Sequence, residues 1–339
     1  MDILIKSFNR AYYLDRCLYS IIKYVKNFNG KIIVLDDGTP QIFLKKIKEK
    51  YPNIIIEKSE FYEKKQALTS KGFKPISYEI PIKLWVDAAK KASDYFILIE
   101  DDTWFIEDID IEDVEKELIE NNVALSKLYW IGNPKINLSK KAVSKRNLVL
   151  ISPKLFTKIP VLYNFIFYKF TKFKIRRILQ ILRINTFDRQ LAYYTIYAVA
   201  GVIFKRDYFI KLWKNHQNSI DENLQKYNAV KIFFKRKEKY TYAHHKKEIL
   251  KTGFISSATN QYKEHYKGNV DMFIFNKILN QAWLEGSFNT IKSLPNDLDS
   301  KDIFEALEAD KYKTILYKNW LSWSNNFKKQ YLDKGCVID

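Results

Sequence analysis

Three adjacent carboxylates, Glu100, Asp101 and Asp102, directly follow the apolar run of residues 96–99. Like charges at neighbouring positions repel one another, so folding alone gives no reason to group them. Carboxylate oxygens are ligands that Mg²⁺ and Mn²⁺ prefer, and phosphate oxygens and water complete the shell of such ions. The sequence therefore predicts a site for a divalent cation and a phosphorylated ligand. The alternative interpretation is an acidic, solvated loop.

The elements around these carboxylates favour the first interpretation. Strands are predicted in residues 2–8, 31–38, 53–60 and 96–102, helices in 12–25, 41–51 and 82–95, and a long loop in 68–81. Strands that alternate with helices indicate a parallel sheet covered by helices on its faces. In such sheets ligands bind beyond the carboxyl ends of the strands. Those ends carry Asn9, Arg10, Asp36, Asp37 and the three carboxylates.

The second half of the chain gives a weaker pattern. Residues 124–132, 229–234 and 239–245 are predicted as strands, and residues 196–213 as a strand, a turn and a helix. Residues 270–335 have helical periodicity, and one helix there starts at a Ser or Asp cap near residue 300. No internal repeat or low-complexity linker is visible in the sequence.

Positive charge is concentrated in one part of the chain, whose net charge is +19. From Asn121 to Phe187 there are fourteen Lys and Arg residues and no Asp or Glu. A field of one sign favours an anionic partner, which is a nucleic acid, an anionic membrane surface or a phosphorylated substrate. Residues 151–183 interleave these cations with aromatic and aliphatic residues. Such a segment is either an interfacial helix on a membrane or an ordinary amphipathic helix with a solvated basic face.

Cysteine use and hydropathy limit the class of protein. Cys17 and Cys336 are the two cysteines, and neither has the spacing of a zinc site. Apolar runs are shorter than the roughly 20 residues that a membrane-spanning helix needs. The first ten residues have no signal-peptide pattern. We therefore expect reduced thiols and a cytoplasmic location, with residues 151–183 as a possible contact to the inner face of the membrane.

The ordered pieces "ILIKSFNR", "LDRCLYSI", "IIVLDDGT", "FILIEDD" and "VAGVIFKRDYF" resemble a GT-A-fold, nucleotide-sugar-dependent glycosyltransferase of the family 2 kind. The resemblance covers about residues 1–250. It implies a mostly parallel central sheet flanked by helices, with a nucleotide-binding half in 1–120, a basic aromatic insertion in 121–190 and an acceptor half in 191–265. Residues 266–339 are predicted to form a helical C-terminal extension.

The resemblance also implies roles for single residues. Those predicted to contact the nucleotide are Phe8, Asn9, Arg10, Asp36 or Asp37, Lys83, Glu100 and Asp101. Asp102 would be the metal ligand, with Glu100 at a second position, and His245 in the pair His244–His245 would lie near the metal or the pyrophosphate. The catalytic base would be Glu222 or Asp221, with Asp188 as the competitor. The alternative interpretation of each of these three residues is a surface charge without a catalytic role.

Three departures from the family pattern stand in the sequence. Glu100 replaces the first Asp of the D-x-D motif, Lys6 replaces a proline of the first strand, and the "ED" pair that carries the base is degenerate. No Q-x-x-R-W signature of processive synthases occurs. The resemblance thus predicts a non-processive, inverting transferase that uses Mn²⁺ or Mg²⁺ and a nucleotide sugar, with UDP-sugar expected, and a glycan or lipid-linked acceptor. The alternative is a non-enzymatic protein that binds nucleic acid or an anionic membrane.

Overall fold

The computed structural model describes residues 1–75, 79–168, 174–215, 221–235, 240–258, 270–307 and 313–338, with 174–176 described by backbone alone. The strands are β1 Asp2–Ser7, β2 Val25–Lys26, β3 Ile32–Asp36, β4 Ile55–Lys58, β5 Tyr95–Glu100, β6 Thr103–Phe105, β7 Ile109–Asp110, β8 Val123–Lys127, β9 Ser139–Ser144, β10 Leu148–Pro153, β11 Val202–Lys205, β12 Thr241–His245 and β13 Leu250–Thr252.

Helices connect and cover these strands. They are α1 Ala11–Tyr24, α2 Gln41–Lys50, α3 Tyr62–Thr69, α4 Ile82–Lys91, α5 Ile111–Glu120, α6 Pro160–Phe167, α7 Lys174–Ile181, α8 Phe187–Leu191, α9 Arg206–Leu212, α10 Glu222–Lys235, α11 Met272–Glu285, α12 Ser300–Ala306 and α13 Lys313–Leu332. In the described part of the chain, no helix is long and apolar enough to cross a membrane.

The central sheet has the order β4-β3-β1-β5-β11-β8-β12-β10-β9 within the described residues. The pairs β4–β3, β3–β1, β1–β5 and β8–β12 are parallel, whereas β11 and β10 run against both of their neighbours. Seven of these nine strands therefore share one direction. This confirms the predicted mixed α/β fold with a mostly parallel sheet, and it is consistent with the GT-A arrangement that the resemblance implies.

Two hydrophobic clusters cover the two faces of the sheet. Ile3 and Ile5 of β1 point into a cluster that includes α1, α11 and α13, whereas Leu4 points into a cluster with α4 and α9. This alternation follows from the two-residue period of a strand. Because both faces are buried, the strands read as continuous apolar runs. The helical C-terminal region shares a cluster with β1, and the domain boundary at residue 265 stays a prediction.

The structure corrects one local prediction and adds elements that the sequence pattern does not predict. Residues 229–234 belong to helix α10 and are not a strand, because Ala229 and Val230 are buried in the middle of the helix that Asp221 caps. Helix α3 was not predicted. Residues 139–144 and 148–153, in the acid-free stretch from Asn121 to Phe187, form β9 at the edge of the sheet and its neighbour β10. Of its predicted cations and aromatics, Lys169, Phe170, Lys172 and Phe173 lie outside the described residues, as do the side chains of Lys174 and Arg176.

Arg16 joins helix α1 to the loop before α12. Its buried guanidinium donates to the carbonyl oxygens of Thr290 and Asn296 and, at 2.9 Å, to Ser293 Oγ, and it stacks over Trp104 at 4.2 Å. The side chain is fully buried. These bonds tie the C-terminal region to the helix that follows the first strand.

Arg16→Met should lower the free energy of unfolding by about 3 kcal/mol, because it leaves three buried or partly buried acceptors without their donor. Arg146→Met is the matched control, since that side chain is 75% exposed and pairs with Asp113 at 2.9 Å. The control should cost less than about 1 kcal/mol. Urea unfolding measures both, and equal losses in the two variants would contradict the bracing role of Arg16.

Candidate functional site

A cleft of about 310 Å³ opens at the carboxyl ends of β1, β3 and β5. Its lining combines the tips of the three strands with residues that lie far away in the sequence. The described lining residues are Lys6, Ser7, Phe8, Arg10, Asp37, Lys65, Pro75, Glu79, Ile80, Pro81, Trp85, Glu100, Asp101, Asp102, Ser256, Ser257, Ala258, Phe327 and Tyr331. The polar strand ends that the sequence predicts to converge therefore do meet in one place.

Residues Glu100, Asp101 and Asp102 are called the acidic tip below. They are held by Arg10, which lies between β1 and α1. The Arg10 guanidinium donates to Asp101 Oδ1 and, at 2.6 Å, to Asp102 Oδ2. The other oxygen of Asp101 accepts the Phe8 backbone N–H at 3.0 Å. Both Asp101 and Arg10 are buried. Arg10 thus supplies positive charge to the adjacent carboxylates from within the chain.

Lys6 supplies the second internal cation. Its Nζ donates to Glu100 Oε1 at 3.2 Å and to the carbonyl oxygen of Val199 at 3.0 Å, and it lies 4.6 Å from the centre of the Trp85 ring. Lys6 stands where the family pattern has proline, and a proline could not make this pair. Two cations therefore face three carboxylates, so the acidic tip carries one negative charge in excess when all three carboxylates are ionised.

Burial and pairing act in opposite directions on these groups. Burial raises the pKa of both Asp101 and Asp102, although the Arg10 charge opposes the shift. Burial also disfavours the charged form of Glu100, but Lys6 and Arg10 outweigh it and lower the pKa of Glu100. Burial alone would lower the pKa of Arg10, and the charges of Asp101 and Asp102 raise it well above its ordinary value. Arg10 therefore stays cationic.

Asp36 and Asp37 have different surroundings although they are neighbours. Asp36 is fully buried and accepts hydrogen bonds from the Gly38 and Thr39 N–H groups at 3.0 and 2.8 Å and from Thr39 Oγ1 at 2.6 Å. Burial raises the pKa of Asp36 to about 6 against these bonds. Asp36 thus holds the turn after β3. Asp37 is the one of the two that lines the cleft.

Asp37 is held there by two partners. Ser59 Oγ donates to one carboxylate oxygen at 2.6 Å, and Lys65 Nζ donates to the other at 2.5 Å. Lys65 also lies 5.7 Å from the centre of the Phe8 ring, so Phe8, Asp37 and Lys65 form one wall of the cleft. The carboxylate remains partly accessible to a ligand at this wall.

Asn9 shapes the backbone turn after β1 and is not among the described residues that line the cleft. Its φ of 53° lies in the left-handed region, where Asn is tolerated. Its N–H donates to Thr39 Oγ1 at 2.8 Å, and its carbonyl oxygen accepts from Asn280 Nδ2 at 3.0 Å. Asn9 therefore turns the chain from β1 into helix α1 and orients Phe8 and Arg10. Its predicted nucleotide contact stays a prediction.

Lys83 points away from the cleft lining. Its ammonium lies 3.6 Å from Asp87 on the same helix, and its side chain is 73% exposed. The cation that lines the cleft on this side is Lys65 of α3. Sequence reasoning missed Lys65, Trp85, Ser256, Phe327 and Tyr331, which carry no motif. A basic residue in an unassigned stretch between β4 and the long loop was the one available signal for Lys65.

The carboxylates partly fit a divalent cation. Asp102 Oδ1 is buried and has no hydrogen-bond partner among the described residues, so one carboxylate oxygen is left for a ligand. No group of three or more His, Cys, Asp or Glu side chains with metal-holding geometry occurs in the described ranges. His245 lines a different cleft, and its Nδ1 lies 2.9 Å from the Lys247 carbonyl oxygen. Its predicted metal contact stays untested.

None of the three predicted bases is among the described residues that line the cleft. Asp221 caps helix α10 by accepting the Leu224 N–H at 3.0 Å. Glu222 accepts the hydroxyl of Tyr194 at 2.7 Å. Asp188 is exposed and pairs with Lys135 at 3.0 Å. The identity of the base remains a prediction.

Lys127 is a buried cation close to Tyr194. It ends β8 and lies 5.8 Å from the centre of the Tyr194 ring, the ring whose hydroxyl bonds Glu222. No described residue accepts a hydrogen bond from its Nζ, and burial lowers the pKa of Lys127 from 10.5 to about 7. This ammonium is therefore a cost to folding at low pH.

Asp36 and Asp37 are expected to respond differently to substitution. Asp36→Asn should lower the free energy of unfolding by about 2 kcal/mol, because it disrupts the hydrogen bonds that hold the turn. Asp37→Asn should weaken nucleotide binding by at least about tenfold, or about 1.4 kcal/mol, with a smaller loss of stability. Urea unfolding and calorimetric titration with UDP measure the two effects. A reversed pattern would assign the ligand contact to Asp36.

Lys127→Met should raise the free energy of unfolding more at about pH 6 than at about pH 9. A lysine with a lowered folded pKa loses its proton on folding, so wild-type stability rises as the pH increases from about 7 towards 10.5. Chemical unfolding at both pH values measures the difference. The exposed Lys145→Met is the control and should show no pH-dependent gain, and equal gains for Lys127→Met at both pH values would refute the buried charge.

Comparisons with known proteins found solved structures only. S. aureus TarS residues 1–349, solved also in complex with UDP-GlcNAc, is 13% identical with a TM-score of 0.39, over 98% of this chain and 91% of that chain. The bifunctional glycosyltransferase WbbM is 14% identical with a TM-score of 0.35, over 94% and 51%. Galactosyltransferase LgtC is 15% identical with a TM-score of 0.28, over 57% and 69%. No family model and no curated protein matches the chain.

Proposed function

We propose that this chain is a glycosyltransferase that moves a sugar from a nucleotide diphosphate sugar to a glycan or lipid-linked acceptor. The observation that carries the proposal is the meeting of Asp37 and the acidic tip in one cleft at the strand ends. Ligands bind at this edge of open α/β sheets. An acid on one side and a charged cluster on the other suit a ligand with a base at one end and a diphosphate at the other.

Asp37 and Phe8 are assigned to the base of the nucleotide. A carboxylate accepts the imide N–H of uracil, and the Phe8 ring offers an apolar face beside it. Lys65 donates to Asp37 and opposes the effect of burial, which raises the pKa of that carboxyl. The carboxylate suits uracil or guanine, which present a ring N–H, better than cytosine or adenine, which present a ring acceptor at the corresponding edge.

The chain's own cations are assigned to the diphosphate. Cleavage of a glycosyl–phosphate bond develops negative charge on the leaving group, and preorganised cations stabilise that charge. Lys6 and Arg10 line the cleft and are fixed by the acidic tip. Their pairing with carboxylates orients them before a ligand arrives, so little reorganisation is needed at the moment of reaction.

Asp102 would hold a divalent cation through its free Oδ1, with Glu100 as the second carboxylate. Mn²⁺ or Mg²⁺ commonly uses one or two carboxylates and completes its shell with phosphate oxygens and water. When bound, such an ion supplies Lewis-acid stabilisation of the leaving diphosphate. Arg10 would keep Asp102 in the orientation that leaves Oδ1 free.

Inversion at the sugar carbon requires a base on the acceptor side. Glu222 is the preferred assignment among the predicted residues, because Tyr194 holds its carboxylate at 2.7 Å and partly buries it. The helix cap that Asp221 forms and the ion pair of Asp188 favour structural roles for these two. Non-processive transfer in the synthesis of cell-surface polysaccharide or glycoconjugate in the cytoplasm remains part of the proposal.

Metal-dependent binding of UDP tests the proposal. UDP at about 100 times its dissociation constant should stabilise the wild type by about 2.7 kcal/mol in the presence of Mn²⁺. Asp102→Asn should abolish most of this gain and retain the fold, since it removes the free carboxylate charge. Thermal shift and calorimetry, with ADP and GDP as competitors and chelator as the metal-free condition, provide the readouts.

Asp108→Asn is the matched control for this experiment. Asp108 is an exposed carboxylate that pairs with Lys26 at 3.5 Å and does not line the cleft. The control should bind UDP like the wild type. Absence of nucleotide binding under every metal condition would refute the glycosyltransferase proposal, and salt-sensitive binding of RNA or DNA in its place would support the non-enzymatic alternative.

A further inference from the structure

An unusual share of the exposed apolar surface lies in one segment. Of the 23 large apolar side chains that are exposed among the described residues, nine lie between residues 156 and 187. They are Phe156, Ile159, Val161, Leu162, Phe165, Ile178, Ile181, Leu182 and Phe187. We call them the basic apolar patch, because Lys and Arg side chains accompany them. Single exposed apolar residues need no explanation, but a concentration of this kind marks an interaction surface.

Helix α6 presents its apolar side chains outward because its other face is already used. Tyr163 and Phe167 are buried and pack against Tyr193, with ring centroids 4.7 and 5.4 Å apart. Val161 and Leu162 lie on the opposite side of the helix, and Val161 is 74% exposed. The helix is therefore anchored to the protein, and its exposed face is a fixed feature of the surface.

Helix α7 repeats the arrangement. Leu179 is buried, whereas Ile178, Ile181 and Leu182 are exposed, and Ile181 is 72% exposed. These three positions lie on one side of a helix, at spacings of three and four residues. Asn185, which follows α7, donates from Nδ2 to the carbonyl oxygen of Ile166 at 2.9 Å and so joins this segment to α6.

The charges beside the patch have one sign. Lys154, Arg177 and Arg183 are exposed, and the sequence contains no Asp or Glu from residue 121 to residue 187. The acid that follows, Asp188, is paired with Lys135 at 3.0 Å. Within residues 121–187 the apolar side chains are therefore accompanied by cations alone, and Asp221 and Glu222 at the start of α10 are carboxylates that act on the buried face of α6 at Tyr163.

We propose that the basic apolar patch docks on an anionic lipid bilayer, with its aliphatic side chains among the acyl chains and its cations at the headgroups. Lys and Arg near an anionic leaflet gain electrostatic energy, and apolar side chains on a short helix gain by leaving water at the acyl boundary. A nucleic acid would use the cations, but its phosphate backbone gives Val161, Leu162, Ile181 and Leu182 no favourable contact. The aliphatic content of the patch therefore favours a membrane.

Co-sedimentation with vesicles tests this surface. The wild-type chain should bind vesicles of phosphatidylcholine that contain about 30% phosphatidylglycerol. Its binding to vesicles of pure phosphatidylcholine should be at least about tenfold weaker. The double substitution Ile181→Glu, Leu182→Glu should reduce binding by at least about tenfold, because it places two carboxylates at the acyl boundary. Arg177→Gln with Arg183→Gln should reduce binding to anionic vesicles and weaken its dependence on salt.

Ile119→Glu with Ile22→Glu is the matched control, since both side chains are more than half exposed and lie outside the patch. It should bind vesicles like the wild type, and circular dichroism checks that every variant is folded. Equal loss in the control, no binding to anionic vesicles, or stronger capture of RNA that the patch substitutions do not affect would each overturn the proposal. No donor or acceptor sugar is needed, so this result is independent of the glycosyltransferase test.

Discussion

The ion pair between Arg10 and the two aspartates of the acidic tip is the constraint on which the site depends. Three carboxylates at the end of a buried strand cannot remain ionised without nearby cations, because their desolvation and mutual repulsion both oppose it. Arg10 and Lys6 come from the neighbouring parallel strand and its end, and Lys6 pairs in register with Glu100. The same contacts that make the cluster tolerable therefore fix the ends of β1 and β5 relative to each other.

The internal cations of this cleft pair with its carboxylates but do not outnumber them. Two internal cations face three carboxylates, and Asp102 keeps one oxygen without a described partner. A cluster that was completely neutralised would be a structural network, and one without internal cations would be too costly to bury. The Asp102 oxygen without a described partner gives the site capacity to accept a further cation or a hydrogen-bond donor from a ligand.

The C-terminal helices, which come from the other end of the sequence, complete the lining of the cleft. Tyr12 of α1 bonds Ser256 at 2.6 Å and Asn276 of α11 at 2.9 Å, while Asn280 of the same helix bonds Asn9. Phe327 and Tyr331 of α13 reach the cleft lining. Since these contacts join the turn after β1 to the last helices, the geometry of Phe8 and Arg10 depends on residues more than 240 positions away.

The sequence by itself determined the strands β1, β3, β4 and β5, the helices α1, α2 and α4, and the acidic tip at a strand end. Local periodicity and apolar runs carry that information, because the alternation of side chains along a strand and around a helix is a property of neighbouring residues. The convergence of Asp37 and the acidic tip followed from the parallel order alone. The tertiary structure decided which groups meet: Arg10 and Lys6 on the acidic tip, Lys65 on Asp37, and Asp36 in the turn. It also placed residues 229–234 in a helix, because their apolar run fits a buried helix as well as a strand, and only packing separates the two.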